Sequence, residues 1–412
     1  MNTYRCLACG TLQAATFPGF TCPACGQNLE VVYDYAAAAR RPFLDRRDIF
    51  RYASVLPLRN LDLIPRVRVG QTPLYRAERL DAQAGQAQVW VKDDGQNPSA
   101  SFKDRAGAVA LAVARERGAS VIAGATTGNA GSSMACLAAS VGMSCVIFLP
   151  ENAPPAKIAQ LLVFGAKVIA VRGSYDDAFD LCGEVCQARG WFNRNTGSNP
   201  FTREGKKTCS FEVWEQLGGR VPDWMVVCTG DGNIISGIWK GWRELKELGL
   251  TQTLPRLVCA QSEQSAAISQ AVWALQKNGV PPRWSDVIIE PVQATTLADS
   301  ISVDIPRDGL AAVRAVLESG GVAVTVPDAD ILAAIPELAR GSGVFAEPAA
   351  ASSWACLKRL AHSGQIKPGE TAVCLVSGNG LKDVASARRS VGDPVVIEAT
   401  FEAAQRAVDS LL

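Results

Sequence analysis

The sequence predicts an α/β protein of two three-layer αβα units with parallel-rich sheets, preceded by a small zinc-ribbon-like segment. Three observations carry this expectation. Seven short, nearly continuous apolar runs occur at 88–92, 120–125, 144–149, 166–171, 224–229, 256–260 and 371–376. Such runs suit strands buried on both faces of a parallel sheet. Stretches of helical periodicity alternate with them, at 103–117, 130–141, 174–189, 203–217, 234–248, 308–320 and 346–363, which is the α/β pattern. The third observation is size: 412 residues are too many for one ordinary core and divide into two or three domains. No internal repeat or low-complexity tract interrupts the pattern.

Four of the thirteen cysteines are clustered at the start, as Cys6-x-x-Cys9 and Cys22-x-x-Cys25, each pair followed by glycine. Two such knuckles match a tetrahedral zinc ribbon with four thiolate ligands. A closed four-thiolate site has no open coordination position, so its expected role is structural. Residues 34–60 are mixed and charged and read as a connecting helix. The remaining cysteines sit mostly in apolar runs, where a free thiol acts as a small hydrophobe, as in a reducing compartment.

Composition excludes several functions. Lys and Arg total 41 against 40 Asp and Glu, so no field points to nucleic acid, and no dense basic run is visible. The start, Met-Asn-Thr-Tyr-Arg-Cys, has no apolar core of a secretory signal. The longest apolar run, 106–114, is too short to span a bilayer. A cytoplasmic protein with no membrane or nucleic-acid partner is expected. The single histidine, His362, removes a Ser-His-Asp triad and any multi-histidine metal centre; it reads as a solvated helix end.

Three strands run into Gly-rich polar loops that open into helices: ATTGNAG (125–131), CTGDGNI (228–234) and VSGNGLKD (376–383). Ligands of open α/β sheets bind at the carboxyl ends of the strands, so these loops predict a polar crevice for an anionic small molecule. In CTGDGNI the glycines would let amides approach a phosphate at a helix start, with the Asp231 carboxylate turned away. Elsewhere, NPSASFKDR (97–105) sets a tight turn and then Lys103 at a helix start. The helix dipole disfavours a cation there, unless the position must deliver an amine.

Taken together, SFKDR, TTGNAGSS, GDGN, FAEPAAAS and SGNGLKD resemble fold-type II pyridoxal-phosphate enzymes, threonine synthases above all, over residues 70–383. The resemblance implies that Lys103, beside Phe102, carries pyridoxal 5'-phosphate and is the catalytic base. It implies that Asn129 meets the cofactor's phenolic oxygen, that Gly230, Asp231, Gly232, Asn233 and Ile234 form its phosphate loop, and that Ser377 meets the pyridine nitrogen. Thr126, Thr127, Asn129 and Ala130 would hold the substrate's α-carboxylate. The accompanying division is 1–33, 34–69, a large domain of 70–103 with 205–412, and a small substrate domain of 104–204. A lyase of amino-acid biosynthesis is implied, converting O-phospho-L-homoserine and water to L-threonine and phosphate, as a homodimer.

Departures fall on the substrate side. Asn379 stands where the family carries His, and Ser99 where it prefers Thr. Thr196, Gly197 and Thr202 stand where it grips the substrate's phosphate with Asn, Ser and Arg. Arg203 lies one position on and is the available substitute. β-Replacement on O-phosphoserine, as in cysteate synthase, and a threonine or serine ammonia-lyase are the alternatives. A non-catalytic ligand-binding protein would need no amine at Lys103.

Overall fold

The computed structural model describes residues 3–126, 128–151, 153, 155–279 and 282–411. The chain opens with a three-stranded antiparallel ribbon, β1 (Thr3–Cys6), β2 (Leu12–Gln13) and β3 (Leu29–Val32), in the order β2-β1-β3. The expected helix over 34–60 does not form. Helix α1 (Tyr35–Ala39), capped by Asp34, ends after five residues, and a 3-10 turn at 49–55 follows. Pro42 and Pro57 break the register a longer helix would need.

The rest alternates as expected. In order come β4 (Leu74–Arg76), β5 (Gln88–Asp93), α2 (Lys103–Glu116), β6 (Val121–Ala125), α3 (Asn129–Ser140), β7 (Ser144–Pro150), α4 (Pro155–Val163), β8 (Lys167–Val171) and α5 (Tyr175–Arg189). Next are β9 (Phe192–Asn193), α6 (Phe201–Lys206), α7 (Thr208–Gln216), β10 (Trp224–Cys228), α8 (Asn233–Glu247), β11 (Arg256–Ser262), α9 (Ala267–Asn278) and α10 (Gly309–Glu318). Last are β12 (Val322–Val326), α11 (Asp328–Ser342), α12 (Pro348–His362), β13 (Thr371–Val376), α13 (Val384–Val391) and α14 (Phe401–Leu411).

Two sheets organise these elements. The smaller runs β8-β7-β6-β9, with every pair parallel. The larger runs β12-β11-β10-β13-β5-β4, parallel except for the antiparallel edge strand β4. Alternate residues of β10 point into different cores. Val226 and Cys228 pack with α11 and α12, while Met225 and Val227 pack with α8, α9 and α10. The smaller sheet is likewise covered, by α2 and α3 on one face and α5 on the other. Each sheet is thus the middle of three layers. Among the described residues no helix is long and apolar enough to cross a membrane.

Candidate active site

Lys103 owes its freedom to its neighbours. Asp104 folds back on the preceding turn, accepting from the Ser99 N–H at 2.7 Å and the Ser99 Oγ at 2.6 Å. Arg105 is wholly buried between Asp94, at 2.5 Å, and Glu212, at 2.6 Å. Removing one partner from such a buried pair costs about 3–5 kcal/mol, so this network fixes the first turn of α2. The turn is also tied to the end of β13, where the Phe102 N–H donates to the Ser377 carbonyl at 2.8 Å. Ala100 is held at φ 62°, a left-handed conformation that costs a non-glycine residue about 1–2 kcal/mol. The Lys103 amine makes no hydrogen bond or ion pair among the described residues. Burial, then the nearby Arg194, pushes its amine below the ordinary lysine value.

The amine faces a cleft lined by Asn129, Gly230, Asp231, Gly232, Asn233, Ile234, Glu347 and Ser377. Most of the residues assigned to the cofactor from the sequence are therefore gathered here. Phe102 is the exception: its ring is buried in the core, with the Arg105 guanidinium 5.5 Å from its centroid. Cys228 donates to the Ser377 Oγ at 3.1 Å. Asn129 Nδ2 donates to both Glu347 oxygens, at 2.9 and 3.1 Å. Sequence reading quoted Glu347 within FAEP but gave it no role; its position before a helix-starting proline was the available signal.

The fit to a phosphate-bearing cofactor can be judged from the 230–234 loop. Gly232 takes φ 89°, open to glycine at little cost, and α8 starts at the next residue. None of the Gly230, Asp231 and Gly232 amides donates to a main-chain acceptor among the described residues. These free amides at a 15-residue helix's start form an anion cradle. The Asp231 carboxylate turns away, accepting from the Arg307 N–H at 2.6 Å. Burial raises it to about 6. A reactive amine, a neutral hydroxyl and an amide cradle in one cleft fit pyridoxal phosphate.

A second crevice, of about 450 Å³, opens beside Lys103 and is lined by Thr126, Asn129, Ala130, Tyr175, Thr196 and Arg307 among others. Thr126 and Ala130 thus lie where a substrate could reach them. Thr127 falls outside the described residues. Arg203 does not substitute for the missing phosphate grip. Its guanidinium is buried against Asp308 at 2.5 Å and donates to the Leu29 carbonyl at 3.1 Å, which turns it toward the ribbon. Thr202 is also committed, donating to the Asn199 carbonyl at 2.8 Å.

Cys6, Cys9, Cys22 and Cys25 come together at the ribbon's tip, with all four sulfurs within 4.8 Å of one another. Three of the separations are 3.4, 3.5 and 3.8 Å. A tetrahedron with metal–sulfur bonds of about 2.3 Å has edges of about 3.8 Å, so the donor set fits zinc.

A family described as pyridoxal-phosphate dependent enzyme matches residues 66–378. The chain is 36% identical to the threonine synthase of Methanocaldococcus jannaschii, over 99% of both chains. It is 35% identical to that of Methanosarcina acetivorans, again over 99% of both. Its fold is shared by the processed form of threonine deaminase isoform 2 from Solanum lycopersicum. That match has a TM-score of 0.64 at 20% identity, over 78% of this chain and 83% of the other. Family, fold and site agree, and the chain belongs to the fold-type II pyridoxal-phosphate-dependent enzymes as a lyase of the threonine synthase-like family.

Proposed function

We propose that the enzyme converts O-phospho-L-homoserine and water to L-threonine and phosphate. The observation that carries this reading is the end-to-end match to two threonine synthases. Bound pyridoxal phosphate supplies an electron sink for negative charge at the substrate's Cα. Lys103 would hold it, and its amine, biased toward the neutral form by burial, is suited to take the substrate's α-proton. The 230–234 amides would receive the cofactor's phosphate, and Ser377 would offer a neutral hydroxyl to its ring nitrogen. Asn129, steadied by Glu347, would serve the cofactor's phenolic oxygen. Thr126 and Ala130 border the space for the substrate's carboxylate.

Offering O-phosphohomoserine to the purified holoenzyme and following phosphate release tests the reading; no release rejects it. Thr196, Gly197 and Thr202 in the substrate region favour, as the second reading, β-replacement on O-phosphoserine. O-Phosphoserine with sulfite is the matching assay, and L-threonine alone tests for ammonia release. Cys6, Cys9, Cys22 and Cys25 hold a structural zinc ion in this proposal, and the enzyme is a cytoplasmic homodimer. Metal analysis and sedimentation, respectively, check the zinc and the dimer.

A further inference from the structure

Arg194 and Lys206 are buried cations with no carboxylate paired to them among the described residues. Arg194 follows β9 and is fixed through its main-chain N–H, which donates to the Ala123 carbonyl at 2.8 Å. Its Nη1 donates to Thr196 Oγ1 at 3.0 Å. Its Nε and Nη2 are buried without any acceptor among the described residues. Thr196 lines the crevice beside Lys103, so the guanidinium sits directly behind that wall. Lys206 closes α6, and among the described residues its amine donates only to Asn233 Oδ1, at 2.5 Å.

Both groups bear the cost of this arrangement. Burial pulls Arg194 down to about 10. Burial, with Lys103 and Arg194 repelling, pulls Lys206 well below the ordinary lysine value. Asp231 and Asp308 compensate Lys206 from a distance, without pairing to it, and Asp308 is already paired with Arg203. A buried guanidinium with two unbonded nitrogens is costly unless an anion completes it in the working state.

We propose that Arg194, Lys206 and Thr196 form the receptor for the phosphate group of the substrate. The inference rests on the reading of that substrate as a phosphorylated amino acid. The two unbonded guanidinium nitrogens offer a fork that matches two phosphate oxygens once Thr196 and its wall give way to the ligand, and the ammonium and hydroxyl add charge and direction. This receptor stands in for the grip that Thr202 and Arg203, both committed elsewhere, do not provide. Lys206 touches the 230–234 loop through the Asn233 side chain, but the main-chain amides of that loop would serve the cofactor's own phosphate.

The test is calorimetric titration of inorganic phosphate into the holoenzyme, whose cofactor already fills the amide cradle, together with melting temperatures with and without phosphate. Wild type should bind one phosphate per chain. Arg194→Leu and Lys206→Met should each weaken binding by about tenfold or more, the scale of a lost charge-assisted hydrogen bond. Both should melt at or above wild type without phosphate, because an unmatched buried charge is gone. Arg194→Lys keeps the charge but not the fork and should fall between. Phosphate affinity unchanged in all three variants overturns the receptor. So does an equal loss in Arg307→Leu at the crevice rim, or a large fall in ligand-free melting temperature for Arg194→Leu. Phosphate binding that depends on Arg194 without turnover of O-phosphohomoserine withdraws the substrate reading and keeps the receptor. Turnover with binding indifferent to the variants does the reverse.

Discussion

Lys206 and Lys207 are neighbours in sequence and both fully buried, yet they live under opposite electrostatic conditions. Lys207 lies 2.6 Å from Glu204 and 2.7 Å from Glu244, with its ammonium 4.1 Å from the Tyr33 ring centroid. Lys240 pairs with the same Glu204, and Tyr33 donates to it at 2.6 Å. That cluster holds two ammonium groups against two carboxylates and joins the ribbon to α6 and α8. Lys206 shares its surroundings with Lys103 and Arg194 and with Asp231 and Asp308; because Asp308 is already paired with Arg203, an excess of positive charge is left. The first arrangement is complete in the protein alone. The second is complete only when anions arrive, which is the physical difference between a buried charge that builds a fold and one that serves a ligand.

The strongest test of this contrast is at the reactive member of the excess. Lys103→Ala should lower turnover by about 10⁴-fold, the upper range for loss of a positioned acid–base group, and should remove the lysine that borohydride traps. Steady-state kinetics and peptide mapping check both. On the paired side, Glu204→Gln leaves Lys207 and Lys240 undercompensated and should cost about 3–5 kcal/mol in denaturant unfolding. If Lys206→Met costs as much as Glu204→Gln, the contrast fails.

A smaller effect concerns Asp231. Its carboxyl is raised in the fold to about 6 from an ordinary 3.8. A raised acid is favoured in its protonated form, so its stabilising share is present below about pH 3.8 and lost as pH rises through about 6. Asp231→Asn should flatten that part of the stability–pH curve, by at most about 3 kcal/mol at 1.36 kcal/mol per unit. The least effect on catalysis is expected at the ribbon, where thiolates present the inverse problem of crowded negative charge. Cys22→Ser should release zinc and lower the melting temperature, while leaving the KM for substrate within about a factor of two, since a closed site has no catalytic position.

Strands such as β10 and β13 were readable because burial on both faces leaves an unbroken apolar run, whereas β8, read from the same signal, lies at a sheet edge with no residue fully buried. Strand β12 was not singled out. It has five residues at the sheet edge, two of them half-buried, and lacks the long apolar signature. The expected helix 203–217 begins two residues earlier and is divided into α6 and α7 at Lys207, whose backbone stays right-handed helical, so the axis continues with little interruption. Lys103 and the 230–234 loop were legible because local chemistry dictates their residue types. Arg194 was not, since in sequence it is one cation after a short strand, and only the fold shows that two of its nitrogens go unanswered. Arg203 misled for the complementary reason: its partner Asp308 lies 105 residues away.

Gly205 sits between these outcomes. At this residue α6 comes so close to α2 that a methyl group would lie 1.8 Å from the Arg105 carbonyl oxygen. The contact is one residue from Lys206 and two from Lys103. It works as a rivet between the helix that carries the reactive amine and the helix that ends in the anion-seeking one. The main-chain positions from which those two side chains start are thereby held by backbone against backbone, and any residue larger than glycine would push the two helices apart.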